Sequence, residues 1–137
     1  INVRMFETKS LAYFRLFQKV LAGLRLYCKG QVAVFKVTRE MMEETGATED
    51  MLDAIAPFSR QIAGVKAGVT MKQQADGRYK FSLRTHEPLD ASAICQLIGG
   101  GGHARAAGSG IVEDEEEALS VILKFMALKL DCGVDET

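Results

Sequence analysis

The residues of this chain best suited to chemistry lie in one run, Gly99-Gly100-Gly101-Gly102-His103-Ala104-Arg105-Ala106-Ala107-Gly108. Four consecutive glycines weaken either a helix or a strand, because each loses more backbone entropy on folding than another residue would. In return they reach positive φ and present a backbone with no Cβ to hold a ligand away. His103 and Arg105 follow, two side chains able to donate hydrogen bonds to an anion. The small residues around them predict a short helical turn over 103–107, packed tightly against a neighbour. A free backbone, a helix start and two donors together describe a phosphate cradle. A tight loop carrying a solvent-exposed His and Arg accounts for the same residues, and glycine content does not separate the two readings.

A second set of charged residues lies upstream. Lys66, Lys72, Arg78, Lys80 and Arg84 are spread over two β-patterned segments, 65–71 and 79–85, joined by Ala75-Asp76-Gly77 with the Asp-Gly signature of a hairpin. Lys66, Lys72 and Lys80 read as a solvated strand face, and His86 as a strand-end residue. The acidic run Glu113 to Glu117 stands where the last helix begins, so it reads as capping and solvation, not as a metal site. With two histidines in the chain and acids gathered at helix starts, no ligand set for a metal pair is visible.

The positioning elements follow from periodicity and punctuation. Ser10 caps a first amphipathic helix whose apolar residues, Leu11 to Leu26, recur at three- and four-residue steps as far as Lys29-Gly30. Gln31 to Val37 is a strand, Thr38 caps a short helix closed by Gly46, and Thr48 opens another that breaks near Ala56-Pro57. Asp90 caps a helix through Ile94, Cys95, Leu97 and Ile98 that ends on a left-handed Gly99. Gly108 to Val112 returns as a strand, and Leu119 to Leu130 is the apolar face of a closing helix. This order predicts an α/β chain, 1–137 forming one domain, with a mixed central sheet and helices packed on it.

Composition narrows the classes further. A chain of 137 residues is one ordinary domain, and 47% hydrophobic with 26% charged residues is globular. A net charge of −1 excludes a basic surface covering the whole domain. No apolar stretch approaches the ~18 residues of a membrane helix. Cys28, Cys95 and Cys132 are widely spaced and odd in number, which predicts reduced thiols in a cytoplasmic setting without membrane contact.

Ser82-Leu83-Arg84-Thr85, followed by Gly99-Gly-Gly-Gly-His103-Ala-Arg105-Ala-Ala-Gly108, resembles the C-terminal DHHA1 domain of DHH-superfamily phosphoesterases. The similarity extends over nearly the whole chain and is greatest to the branch of oligoribonucleases (nanoRNases) and phosphoadenosine-phosphate phosphatases, also labelled exopolyphosphatase-related. The resemblance implies a two-domain hydrolase in which an N-terminal DHH domain, in cis, holds a pair of manganese ions and cuts. The DHHA1 domain then binds the substrate's phosphates, so no cofactor and no catalytic residue is expected in this chain. Carried over, Arg84 and His103 face the substrate and Gly100, Gly101 and Gly102 form the backbone cradle. Arg105 falls where the family often carries a polar or basic residue, and the hydroxyls of Ser82 and Thr85 either assist phosphate or bond within the sheet.

The expected ligand is a phosphorylated nucleotide or short single-stranded RNA or DNA. A cyclic-dinucleotide phosphodiesterase, an exopolyphosphatase or a single-strand exonuclease would use the same domain, although a long-strand exonuclease needs a more extended basic track. A stand-alone nucleotide- or RNA-binding module is the reading from a different class. The chain begins at Ile1 without an initiator methionine, as expected of a segment whose N-terminal catalytic part lies elsewhere. Phe14 and Phe17, exposed in such a segment, can drive a homodimer.

Overall fold

The computed structural model describes residues 8–136. The first helix, α1 (Leu11–Ala22), starts where Ser10 accepts the Tyr13 N–H and buries Tyr13, Leu16 and Val20. It stops short of the predicted Lys29-Gly30 end, because Gly23 takes up the last turn's carbonyls and Arg25–Tyr27 becomes strand β1. Leu24 and Leu26, two residues apart, fit a strand period as well as a helical one, and pairing with β2 (Val32–Val37) decides between them. Phe14 is exposed, whereas Phe17 is half-buried and stacked on Phe58.

The chain continues through α2 (Arg39–Thr45), capped by Thr38 and closed by Gly46 at φ 73°, and α3 (Glu49–Ile55). Pro57 tightens the end of α3 into a 3-10 helix over Ala56–Gln61, where its missing N–H is least disruptive. Strands β3 (Ala67–Gln73) and β4 (Tyr79–Thr85) form the predicted hairpin. In its turn the Asp76 carboxylate accepts from the Arg78 backbone and guanidinium, which holds that carboxyl below its ordinary range. Helix α4 (Ala91–Gln96), capped by Asp90, stops short of the predicted Leu97 and Ile98, which form a turn leading to the left-handed Gly99 at φ 83°, and the Gly100 N–H returns to the Cys95 carbonyl.

The segment after α4 departs from the predicted helical turn. Gly101–Gly102 is strand β5 and Ala106–Val112 is strand β6, joined by a tight turn in which the His103 N–H donates to the Ala106 carbonyl. The alanines favour a helix locally, but Ala106 and Ala107 pair with Arg84 and Leu83, and the ladder overrides that preference. The final helix, α5 (Glu115–Leu130), is capped by Asp114.

The six strands lie in the order β1-β2-β3-β4-β6-β5, with β2 and β3 parallel across the crossover that carries α2 and α3, and the other pairs antiparallel. Helices α4 and α5 cover one face through Val69, Met71, Phe81, Leu83, Ile94, Ile122 and Met126. On the opposite face α1 and α3 bury Phe35 and Val37 of β2 with Leu16, Leu52 and Ile55. The outward residues of β4 lie beyond that second cluster, and the candidate site occupies them.

Candidate functional site

Strand β4 alternates strictly. Tyr79, Phe81, Leu83 and Thr85 are buried on the α4/α5 side, which leaves Lys80, Ser82 and Arg84 on the opposite face. Residues paired directly across strands share a face, so the register lays out three rungs: Lys72 beside Lys80, Thr70 beside Ser82 and Gly108, and Gly68 beside Arg84 and Ala106. A cleft of about 140 Å³ runs along them, with Lys72, Thr70, Lys80, Ser82 and Arg84 on its floor and Leu52, Asp53 and Ala56 as its wall. On the last rung Gly68 has no room for a side chain, because the 3-10 helix presses on it. A Cβ there would lie 1.9 Å from Ser59 Oγ and 2.8 Å from the Arg60 amide nitrogen.

Arg84 is half-buried, and its Nε is buried without a hydrogen-bond partner. A buried guanidinium N–H left unpaired is unfavourable in the free protein, and an anion oxygen in the cleft would satisfy it. Next to it, strand β6 bulges. Ser109 and Gly110 stand opposite Phe81 alone, and Ser109 Oγ accepts the Phe81 N–H at 2.9 Å while donating to the Gly110 carbonyl at 2.7 Å. Ser109 reaches the cleft but spends its hydroxyl on the bulge. Bulges of this kind re-aim a strand beside a site.

The glycine run separates into distinct roles. Gly99 and Gly102 have φ of 83° and 149°, in the range that favours glycine. Gly100 is closed off by proximity, since a Cβ would lie 2.1 Å from the Gly108 carbonyl oxygen. Gly101 has neither constraint: its φ is not positive and a Cβ would meet nothing within 4 Å. It pairs with Gly108, which pairs with Ser82, so two residues without side chains continue the cleft floor toward the sheet edge.

His103 is exposed at the tip of the β5–β6 turn and is not part of the cleft wall. The turn is fixed to β4 by Thr85, whose Oγ1 donates to the Ala104 carbonyl at 2.9 Å and whose N–H donates to the Arg105 carbonyl at 3.0 Å. Arg105 turns away. Its Nη2 donates to the Leu89 carbonyl, so the side chain ties the turn to the loop ahead of α4, while Nη1 is buried and unpaired. The structure therefore brings Ser82 and Arg84 together in the cleft, sets Gly101 on the same face, and leaves His103 and Arg105 at the turn.

Lys80 stays exposed, as expected of a solvated strand face, whereas Lys72 is half-buried; both also line the cleft, where Asp53, Thr70 and Ser109 join them. The two-residue spacing of Lys80, Ser82 and Arg84 already put them on one side of a strand. That α3 would wall that side off was not visible in local pattern. His86 lies just beyond β4, its Nε2 3.1 Å from the Arg60 carbonyl.

Among the described residues no three His, Cys, Asp or Glu side chains are grouped so as to hold a metal ion. In the acidic run, Asp114 accepts from the Glu116 and Glu117 amides, Glu113 pairs with Arg78 and Glu116 with Lys36. A manganese pair therefore does not fit the donors present here. No helix among the described residues is long and apolar enough to cross a membrane.

Comparison with known proteins bears on these features. The family model for the DHHA1 domain matches residues 29–128, from the turn after β1 to the last turns of α5. The bifunctional oligoribonuclease and PAP phosphatase NrnA of Thermus thermophilus is 33% identical over 98 residues, which are 72% of this chain and 28% of that protein. An exopolyphosphatase-related protein from Bacteroides fragilis superposes with a TM-score of 0.78 at 21% identity, over 92% of this chain and 38% of that one. The pGpG-specific phosphodiesterase PggH from Vibrio cholerae superposes with a TM-score of 0.57 at 13% identity, over 85% of this chain and 39% of that one. At those identities the two superpositions concern the fold, and the chain spans well under half the length of each relative.

Proposed function

Because this chain belongs to the DHHA1 family, we propose that it is the phosphate- and nucleotide-binding domain of a manganese-dependent phosphoesterase acting on short oligonucleotides or nucleotide bisphosphates. The observation that carries this reading is Arg84, which presents an unpaired buried Nε beside Ser82 in the cleft. Its planar fork suits bidentate contact with a phosphate, and the charge-assisted hydrogen bonds so formed are the strong kind. Gly101 lets a ligand backbone lie against the sheet, and His103 adds a donor from the turn above. Ser82 offers a hydroxyl between them. Arg105 supports the turn through Leu89.

The role of this chain in such a reaction is to bind and orient. Hydrolysis by two metals needs ligands that hold both ions and activate water. We assign these to a DHH domain in cis, and the chain alone is expected to release no phosphate or mononucleotide in manganese. The names of the Thermus and Vibrio relatives, an oligoribonuclease and PAP phosphatase and a pGpG phosphodiesterase, agree with a short phosphorylated substrate.

Calorimetry with a 5′-phosphorylated diribonucleotide tests the site directly. The 137-residue chain is expected to bind it, and Arg84→Ala to lose about tenfold or more in affinity, the value of a charge-assisted hydrogen bond. Equal affinity in wild type and Arg84→Ala would remove the cleft as the binding site.

A further inference from the structure

Two of the three cysteines meet on the side of the sheet away from the cleft. The cluster under α4 and α5 contains Cys28 and has Cys132 packed against it. Cys28 opens the turn between β1 and β2, where it and Lys29 take left-handed φ of 55° and 58°. A backbone of that shape favours glycine or asparagine, so the turn itself does not call for a cysteine. At the other end of the chain, Asp131 turns the backbone off α5 at φ 55°, and the Cys132 N–H donates to the Ala127 carbonyl at 3.0 Å. The tail then runs back along the sheet edge, where Glu136 bridges to Tyr27, the residue before Cys28. The two thiols adjoin closely enough for Cys132 to add to the rise that burial imposes on the Cys28 thiol, whereas Cys95 on α4 is raised by burial alone. Cys28 is fully buried and Cys132 only half-buried.

We propose that Cys28 and Cys132 are a redox pair, in which hydrogen peroxide closes a disulfide between the β1–β2 turn and the end of α5. The half-buried Cys132 reacts first. Its thiolate sulfur attacks one peroxide oxygen, the O–O bond breaks, and the leaving hydroxide takes up the thiol's proton as water. Cys132 is then a sulfenic acid. The Cys28 sulfur attacks the Cys132 sulfur, the S–S bond forms as the S–O bond breaks, and the departing hydroxide leaves as water with the Cys28 proton. Two thiols are oxidised and one peroxide is reduced to two waters. Burial sets this order, because a Cys28 thiol pushed up to about 12 stays protonated and closed to solvent until its neighbour is oxidised. Both residues lie in turns outside the helices and the ladder, so a bond of about 2.05 Å closes by shifting turns while the sheet keeps its register. The loop so closed spans most of the chain, the case in which a cross-link restricts the unfolded state most. The disulfide therefore acts on the stability of the fold, independently of what the cleft binds.

Mass spectrometry of the reduced 137-residue chain, after exposure to hydrogen peroxide and alkylation of the remaining thiols, tests the pair. The expected product is a monomer lighter by two hydrogens, with the peptides of Cys28 and Cys132 joined and Cys95 recovered as a thiol. Its thermal midpoint should lie about 10 °C above that of the reduced chain, and dithiothreitol should return it to the starting value. Cys132→Ser, at a half-buried position, should abolish the cross-link and the shift together and leave Cys28 as a thiol. Cys28→Ala should stop the oxidation at the Cys132 sulfenic acid, which dimedone traps. Both thiols left unreacted, Cys132 oxidised to the sulfinic acid beside a free Cys28, or a disulfide joining two copies through Cys132 would each overturn the pair. A cross-linked chain with an unchanged midpoint would overturn its action on stability.

Discussion

Thr85 Oγ1 donates a 2.9 Å hydrogen bond to the carbonyl of Ala104, nineteen residues away in sequence. Thr85 is fully buried, and it immediately follows the arginine proposed to hold phosphate. Ala104 immediately follows the exposed His103. This hydroxyl, with the Thr85 N–H bond to the Arg105 carbonyl, ties the strand that carries Arg84 to the turn that carries His103. The Ala91 amide donates to the same carbonyl at 2.8 Å, which brings the start of α4 to this junction.

Thr85→Val keeps the shape of this side chain and removes the donor. The Ala104 carbonyl retains its bond from Ala91, so the expected loss of stability is about 1 kcal/mol. Binding should weaken as well, because the turn is then held to β4 by backbone bonds alone. Urea unfolding and nucleotide titration of the same variant read the two effects separately. A full loss of stability without any change in affinity would show that the turn takes no part in binding.

The glycines offer a contrast between fold and function. Gly100→Ala places a methyl against the Gly108 carbonyl, backbone against which nothing can rotate away. Overpacking of this kind should lower stability by about 2 kcal/mol. Gly101→Ala meets open space, so stability should stay within about 0.5 kcal/mol of wild type. If the cleft floor holds a ligand, affinity should nevertheless fall, because the added methyl projects into it. Unchanged affinity in a stable Gly101→Ala protein would restrict the binding surface to Arg84 and its rung.

The same run shows how far the sequence could be read. Alternation exposed β4, the Asp-Gly pair exposed its hairpin, and Gly99 marked the left-handed turn after α4, because each is set by local backbone physics. The turn at 103–105 was misread for the opposite reason. Alanine favours a helix in isolation, and only pairing of Ala106 and Ala107 with a strand twenty-odd residues upstream makes a second hairpin. Alternation places Lys72 and Lys80 on one face, and Lys80 is exposed there, but it does not say that a helix stands over part of that face. The cleft exists because α3, fixed by the parallel crossover between β2 and β3, stands above that face. The shared face of Ser82 and Arg84 was legible from their two-residue spacing, whereas the diversion of Arg105 to Leu89 depends on how the loop before α4 folds back.

Two cysteines outside the site make stability depend on pH. Burial pushes the Cys28 thiol up to about 12, with the adjoining Cys132 thiol adding to the effect, and burial pushes Cys95 up to about 11. The ordinary value is near 9.0, so the unfolded chain loses these protons first. The stabilisation is fully present below pH 9 and is lost as pH rises toward 11 and 12. Burial raises Tyr27 and Tyr79 above their ordinary 10.0, which acts in the same direction. Under reducing conditions the urea midpoint should therefore fall steadily from pH 8.5 to pH 10.5. Cys95→Ala should make that fall shallower, and an unchanged midpoint across the range would contradict the burial of the thiols.

The two arginines of the motif should separate by the sign of their effect on stability. Arg84 holds an unpaired buried Nε, so Arg84→Met, which keeps an unbranched apolar stem, removes an unfavourable group. The free protein should gain up to about 1 kcal/mol while nucleotide binding is lost, as happens where a site is strained for its ligand. Arg105→Met also removes an unpaired buried nitrogen, Nη1, but with it the bond to the Leu89 carbonyl that closes the turn onto the loop ahead of α4, leaving that carbonyl without its donor. That variant should lose about 1 kcal/mol and keep measurable binding. Thermal unfolding with and without adenosine 3′,5′-bisphosphate tests both at once. If Arg84→Met proved the less stable of the two and still bound nucleotide, Arg84 would be a packing residue, and the anion would have to be held from the His103 turn instead.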